Sequence, residues 1–160
     1  MIYRCPTVPA LYQSGLTVIE LLMAFLIVGF LAVVAVPSYQ AYVDRVDREL
    51  VVGCIRQIEL VIDRFYVERQ RLPDSLAEIS LPGDCRTDAW GNPFRYLKLA
   101  GKKGKSGNRK DRNENPLNAD YDLYSIGEDG KTNQSLRPKV SHDDIIRARN
   151  GAYIGLAADF

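Results

Sequence analysis

Hydrophobic positions fall into two regimes along the chain. Leu16 to Val36, LTVIELLMAFLIVGFLAVVAV, is apolar almost throughout and holds one ionisable side chain, Glu20. As a helix rising 1.5 Å per residue it would reach about 32 Å, close to the roughly 30 Å of a bilayer's hydrocarbon, so it can cross a membrane once. Beyond it the apolar residues thin to helical spacing. Val51, Ile55, Ile58, Ile62 and Phe65 recur among Arg48, Glu49, Arg56, Glu59, Asp63 and Arg64, which predicts a helix from Ser38 toward Arg69 with one face packed on a sheet. Pro37, which lacks an amide donor, is expected to kink or locally open the helix between the two regimes.

Further on, Pro73 followed by Ser75-Leu76-Ala77-Glu78 predicts a short second helix opened by a Ser75/Glu78 capping box and stopped by Pro82 and Gly83. Asp88 to Pro93 combines Trp90 with turn formers. Strands are predicted at Phe94–Leu99 and Tyr121–Ile126. Between them, Gly101 to Asn115 carries six basic and two acidic residues, and Gly or Ser fills four of its first seven positions, which predicts a mobile, solvated hairpin tip. Aromatic residues for base stacking are missing from that segment, so it does not read as a nucleic-acid site. Few strands and a long helix make this an α+β chain.

Composition bounds the partners. With 160 residues there is room for one domain of ordinary size, and 21 basic against 20 acidic side chains give a net charge of +1, too even for nucleic acid or an anionic surface as main partner. Of the three cysteines, Cys5 precedes the apolar run, and Cys54 and Cys85 follow it. Their spacing matches no zinc pattern, and outside the cytoplasm such a pair is expected as a disulfide in preference to two free thiols. His142 is the only histidine, and neither Ser125, Ser141 nor Cys54 has a base and orienting group implied by a motif, so no catalytic residue is expected.

The order of segments at the amino terminus is unusual. An ordinary secretory signal is cut after its apolar stretch, whereas here the polar residues 1–15 end in Gly15 and the apolar run comes next. A cut after Gly15 would keep the membrane helix on the mature chain. Gly15-Leu16-Thr17-Val18-Ile19-Glu20-Leu21-Leu22 resembles the processing motif of type IV prepilins and type II secretion pseudopilins, with Leu16 where phenylalanine is usual, and Pro37 and Tyr39 sit where that family has a proline and an aromatic residue. The resemblance implies cleavage after Gly15 and N-methylation of Leu16 by a prepilin peptidase/methyltransferase. It implies three parts: a leader 1–15, a transmembrane and filament-core helix 16–36, and a periplasmic domain 37–160 that includes the rest of the helix. A carboxylate in a membrane helix is costly and asks for a partner. The resemblance implies that Glu20 pairs with the amino terminus of Leu16 in a neighbouring subunit and sets register, the alternative being that it snorkels to the interface.

Asp88 to Phe94 together with Tyr121 to Gly130 resembles the carboxyl-terminal domain of the major pseudopilin of type II secretion. That implies a pilin-like fold, a long helix on a small antiparallel sheet, with a calcium-type loop after the second strand. Calcium takes six to eight oxygen ligands, and the resemblance assigns Asp129, Asp143, Asp144 and the Ile126 carbonyl, with Glu128 less favoured. Against it, Lys131, Arg137 and Lys139 lie in the same loop and offer surface salt bridges, and the chain runs on from Ile145 to Phe160 beyond the family's usual ending. The implied role is a structural subunit of an inner-membrane-assembled periplasmic pseudopilus, with copies of itself, minor pseudopilins and the assembly platform as partners. A type IV pilus subunit and a membrane-anchored periplasmic enzyme are the alternatives.

Overall fold

The computed structural model describes residues 15–101 and 107–160. The leader up to Ser14, with Cys5, and the loop residues 102–106 lie outside the described residues. The chain divides into two compact units, Met1–Ala41 and Tyr42–Phe160.

In the first unit, helix α1 (Val18–Arg69) begins three residues after Gly15 and runs past the unit's end. Thr17 and Glu20 open it with a reciprocal cap: the Thr17 amide and hydroxyl donate to Glu20 Oε2 at 2.9 and 2.8 Å, and the Glu20 amide donates to Thr17 Oγ1 at 3.3 Å. Pro37 lies inside the helix, which is assigned without a break there, and the next residue, Ser38, donates its hydroxyl to the Val34 carbonyl at 3.0 Å. Every residue from Gly15 to Ala41 is exposed.

In the second unit, four strands form an antiparallel meander, β1 (Arg95–Lys98), β2 (Tyr121–Ser125), β3 (Ile145–Ala148) and β4 (Tyr153–Leu156), in that order across the sheet. The register sets Leu97 opposite Asp122, Tyr124 opposite Ile146, and Arg147 opposite Ile154. Alternation along the strands sorts side chains to two faces. Tyr121, Leu123 and Ile145 join Val51, Ile55, Ile58 and Ile62 of α1 in one core with Phe94, Ile79 and Cys85. Ile146 and Ala148, from the other face, join Leu117, Leu136 and Ala157 in a second core, with Tyr124, Tyr153 and Phe160 packed against it. The sheet is therefore covered by helix on one side and by irregular chain on the other.

Three expectations need correction. Leu76–Glu78 is only a three-residue 3-10 turn; Ser75 makes no cap, and Glu78 instead accepts from the Asp74 amide at 3.3 Å. So short an element has no second turn for a capping box to stabilise. Strands β3 and β4, which were not predicted, occupy the stretch from Ile145 that runs beyond the family's usual ending. The basic segment is not simply a solvated tip, because Arg109 is buried in it.

Cys54 of α1 and Cys85 are joined by a disulfide, with their Cα atoms 5.2 Å apart and 31 positions between them in sequence. Closing a loop of that size stabilises by about 3–4 kcal/mol in the chain-entropy account. Reduction of the folded protein is expected to lower its thermal midpoint by roughly 10 °C. A midpoint unmoved by reductant would show that the bond contributes nothing.

Candidate functional site

Two places gather the residues singled out in the sequence. At the first, Gly15, Leu16 and Thr17 precede the helix in non-helical backbone, and Leu16 is 80% exposed. The Gly15–Leu16 bond is thus accessible. A Cβ placed on Gly15 meets nothing within 4 Å, so the fold itself does not ask for glycine there. Both bonds that Thr17 gives to Glu20 fall on Oε2, and Oε1 has no hydrogen bond among the described residues. The cap holds the carboxylate at the positive end of the helix dipole. Thr17 was missed as a functional residue, although Thr-x-x-Glu ahead of an apolar run is a readable capping signature.

The second place lies at one end of the sheet. Asp88 is buried and accepts from the Trp90 and Asn92 amides through Oδ1 (3.1 and 2.7 Å) and from the Ser125 hydroxyl through Oδ2 (2.6 Å). Asn92 donates its amide to the Gly127 carbonyl at 2.9 Å. The turn at Asp88–Asn92 is therefore tied to the end of β2 and the loop after it, which is why the two separated segments act as one motif. Gly127, at φ +69°, faces Asp143 so closely that an added Cβ would collide with its carboxylate and its carbonyl.

The acidic residues separate into two environments. Asp143 Oδ2 accepts from the Asp129 amide at 3.1 Å, and Asp129 Oδ1 accepts from the Lys131 amide at 2.8 Å, so this pair shapes the turn at the rim. Asp144 is fully buried. Its Oδ2 accepts from Arg109 Nη2 and from the Thr132 hydroxyl, both at 2.6 Å, while Arg109 Nη1 donates to Thr132 Oγ1 at 2.7 Å. Burial pushes the Asp144 carboxyl up to about 6 against the pull of Arg109, which leaves it mainly ionised at neutral pH. Ile126, whose carbonyl is the remaining expected ligand, is buried just past the end of β2. Glu128, His142 and Asp143 line a cleft of about 320 Å³ with Trp90. Ser125 is bonded to Asp88, and Ser141 Oγ accepts from the Asn133 amide at 2.8 Å, so both hydroxyls serve loop structure.

These residues do not fit calcium as arranged. Among the described residues no group of three or more His, Cys, Asp or Glu side chains converges to hold a metal ion. Asp144 Oδ2 is already shared by a guanidinium and a hydroxyl, although Oδ1 is buried without a partner. A divalent ion there would sit beside the guanidinium that already neutralises Asp144 and would be repelled by it. Nor do Lys131, Arg137 and Lys139 pair with the acids among the described residues. Arg109, not one of these three, meets Asp144.

Comparison with known proteins bears on the whole chain. It is 28% identical over 138 residues to the type II secretion system core protein G of Pseudomonas aeruginosa, covering 74% of this chain and 86% of that protein. The protein of the same name from Klebsiella pneumoniae is 27% identical over 144 residues, covering 83% and 92%, and that of Aeromonas hydrophila is 26% identical over 138 residues, covering 74% and 85%. No protein-family model and no solved structure matches the chain. With its long apolar helix, four-stranded antiparallel sheet and tied turn at Asp88–Asn92, the chain is similar over about three quarters of its length to core protein G, the major pseudopilin of type II secretion.

Proposed function

We propose that this chain is a structural subunit of a type II secretion pseudopilus, anchored once in the bacterial inner membrane with residues 37–160 in the periplasm. The observation that carries this reading is the apolar stretch of α1 from Val18 to Val36: it is exposed throughout among the described residues, and it starts just past an exposed Gly15–Leu16 bond. Apolar surface on that scale demands either lipid or other copies of the same helix. Cleavage after Gly15 by a prepilin peptidase leaves the helix in the membrane as an anchor. An assembly platform then transfers the subunit to a growing fibre, where helix–helix packing replaces lipid contacts.

Glu20 has a defined part in this. The Thr17 cap fixes Oε2, and Oε1 is presented to the ammonium group of Leu16 on an adjoining subunit. In a low-dielectric bundle such a pair discriminates strongly between registers, because one residue of slip leaves two charges unmatched. Minor pseudopilins with the same helix would enter the fibre by the same contact.

Deletion of the gene in its native host is expected to leave folded exoproteins in the periplasm while surface pili and motility persist. Plasmid-borne wild type restores export. Normal export with loss of pili would instead make the chain a type IV pilus subunit and overturn the proposal.

A further inference from the structure

We infer that Arg109 is a built-in counter-cation for the acidic loop: its guanidinium, seated on Asp144 and Thr132, closes the loop through an ion pair and hydrogen bonds within the chain and makes its folding independent of calcium. The two side chains are 3% and 0% exposed, and the contact is a charge-assisted bond at 2.6 Å. Thr132 completes a three-membered ring of bonds, since its hydroxyl accepts from Arg109 and donates to the same Asp144 oxygen. The face of the guanidinium lies over the Tyr124 ring, 4.1 Å from its centroid.

Main-chain bonds show that Arg109 does not wander in from a loose tip. Its own amide donates to Asp122 Oδ2 at 2.8 Å, and its carbonyl accepts from the Leu117 amide at 2.9 Å. The next residue threads the acidic loop: the Lys110 amide donates to the Gln134 carbonyl, and the Leu136 amide to the Lys110 carbonyl. Backbone and guanidinium together bind the segment 109–110 to residues 132–136 and 144. Asp144 is the one residue of the acidic loop's candidate ligand set that these connections hold directly. A single positive charge already balances the buried Asp144, while Asp129 and Asp143 at the rim each accept one backbone amide that shapes the turn.

The full chain in detergent, followed through its one tryptophan, Trp90, supplies the test. The wild type is expected to unfold at the same temperature in chelator and in millimolar calcium, and Asp143→Ala to remain equally insensitive to calcium. Arg109→Met is expected to lower the midpoint by roughly 10 °C or more by stranding Asp144. Adding Asp144→Leu, which removes the stranded charge, is expected to recover most of that loss. Calorimetric titration of calcium into the wild type needs no variant and is expected to show no binding. A calcium-raised wild-type midpoint, heat from a stoichiometric calcium site, or an Arg109→Met protein as stable as wild type would each overturn the inference.

Discussion

Arg147→Ala is expected to destabilise the unit Tyr42–Phe160 by about 3–5 kcal/mol, the cost of breaking a buried ion pair from one side. Arg147 stands in the middle of β3, 3% exposed, and faces α1. Its Nε donates to Glu59 Oε1 at 2.7 Å, and Nη1 and Nη2 grip both oxygens of Asp120 at 2.9 and 2.7 Å. Nη1 also donates to the Tyr121 carbonyl, and the guanidinium lies 3.9 Å from the centroid of the Tyr121 ring. One side chain thus joins helix, β2 and β3. Truncation leaves Glu59 and Asp120 unmatched and opens a void beside Tyr121. Lysine cannot reproduce the bidentate grip, so Arg147→Lys is expected to rescue only a minor part. Denaturant unfolding measures the loss; an alanine variant within about 1 kcal/mol of wild type would mean that the network is ornamental.

Gly15→Val is expected to give a chain that folds like wild type but stays unprocessed at its amino terminus. Among the described residues, apart from those adjoining it in sequence, nothing lies within 4 Å of a Cβ at this position, so the effect is expected to come from an enzyme that grips the peptide there. Full cleavage of the valine variant would disconnect the resemblance of this junction from its implied chemistry. Conversely, a variant that failed to fold would contradict the open surroundings of Gly15.

Much of this was legible in the sequence, for identifiable reasons. The α1 stripe Val51, Ile55, Ile58 and Ile62 shows because each residue buries one side at helical spacing, and a period is a local property. β2 is legible because Tyr121 and Leu123 alternate with Asp122 and Tyr124. β3 and β4 escaped: Arg147 interrupts the apolar alternation of β3 and becomes intelligible only once Glu59, 88 positions earlier, is beside it. Asn150-Gly151 between them is nevertheless a strong hairpin signal that should have prompted the reading. Arg149, Asn150 and Gly151 all take positive φ in that turn, and a Cβ on Gly151 would strike the Glu59 carboxylate.

The capping motif gave one useful and one misleading instance. Thr17-x-x-Glu20 forms because a long helix follows it; Ser75-x-x-Glu78 has the same letters and no helix to open. Arg109 was hidden among six basic residues of one segment, since burial of a charge is decided by a partner elsewhere, here 35 positions away. Polarity at Gly15 could be read outright, because it depends only on which side of the apolar run the junction falls.

Intact-mass spectrometry of the mature protein from its native host tests the central claim most directly. The account predicts the mass of Leu16 to Phe160 plus one methyl group, less two hydrogens for the Cys54–Cys85 bond. An amino terminus at Met1, or one beyond Val36 as an ordinary signal cleavage would leave, would contradict it.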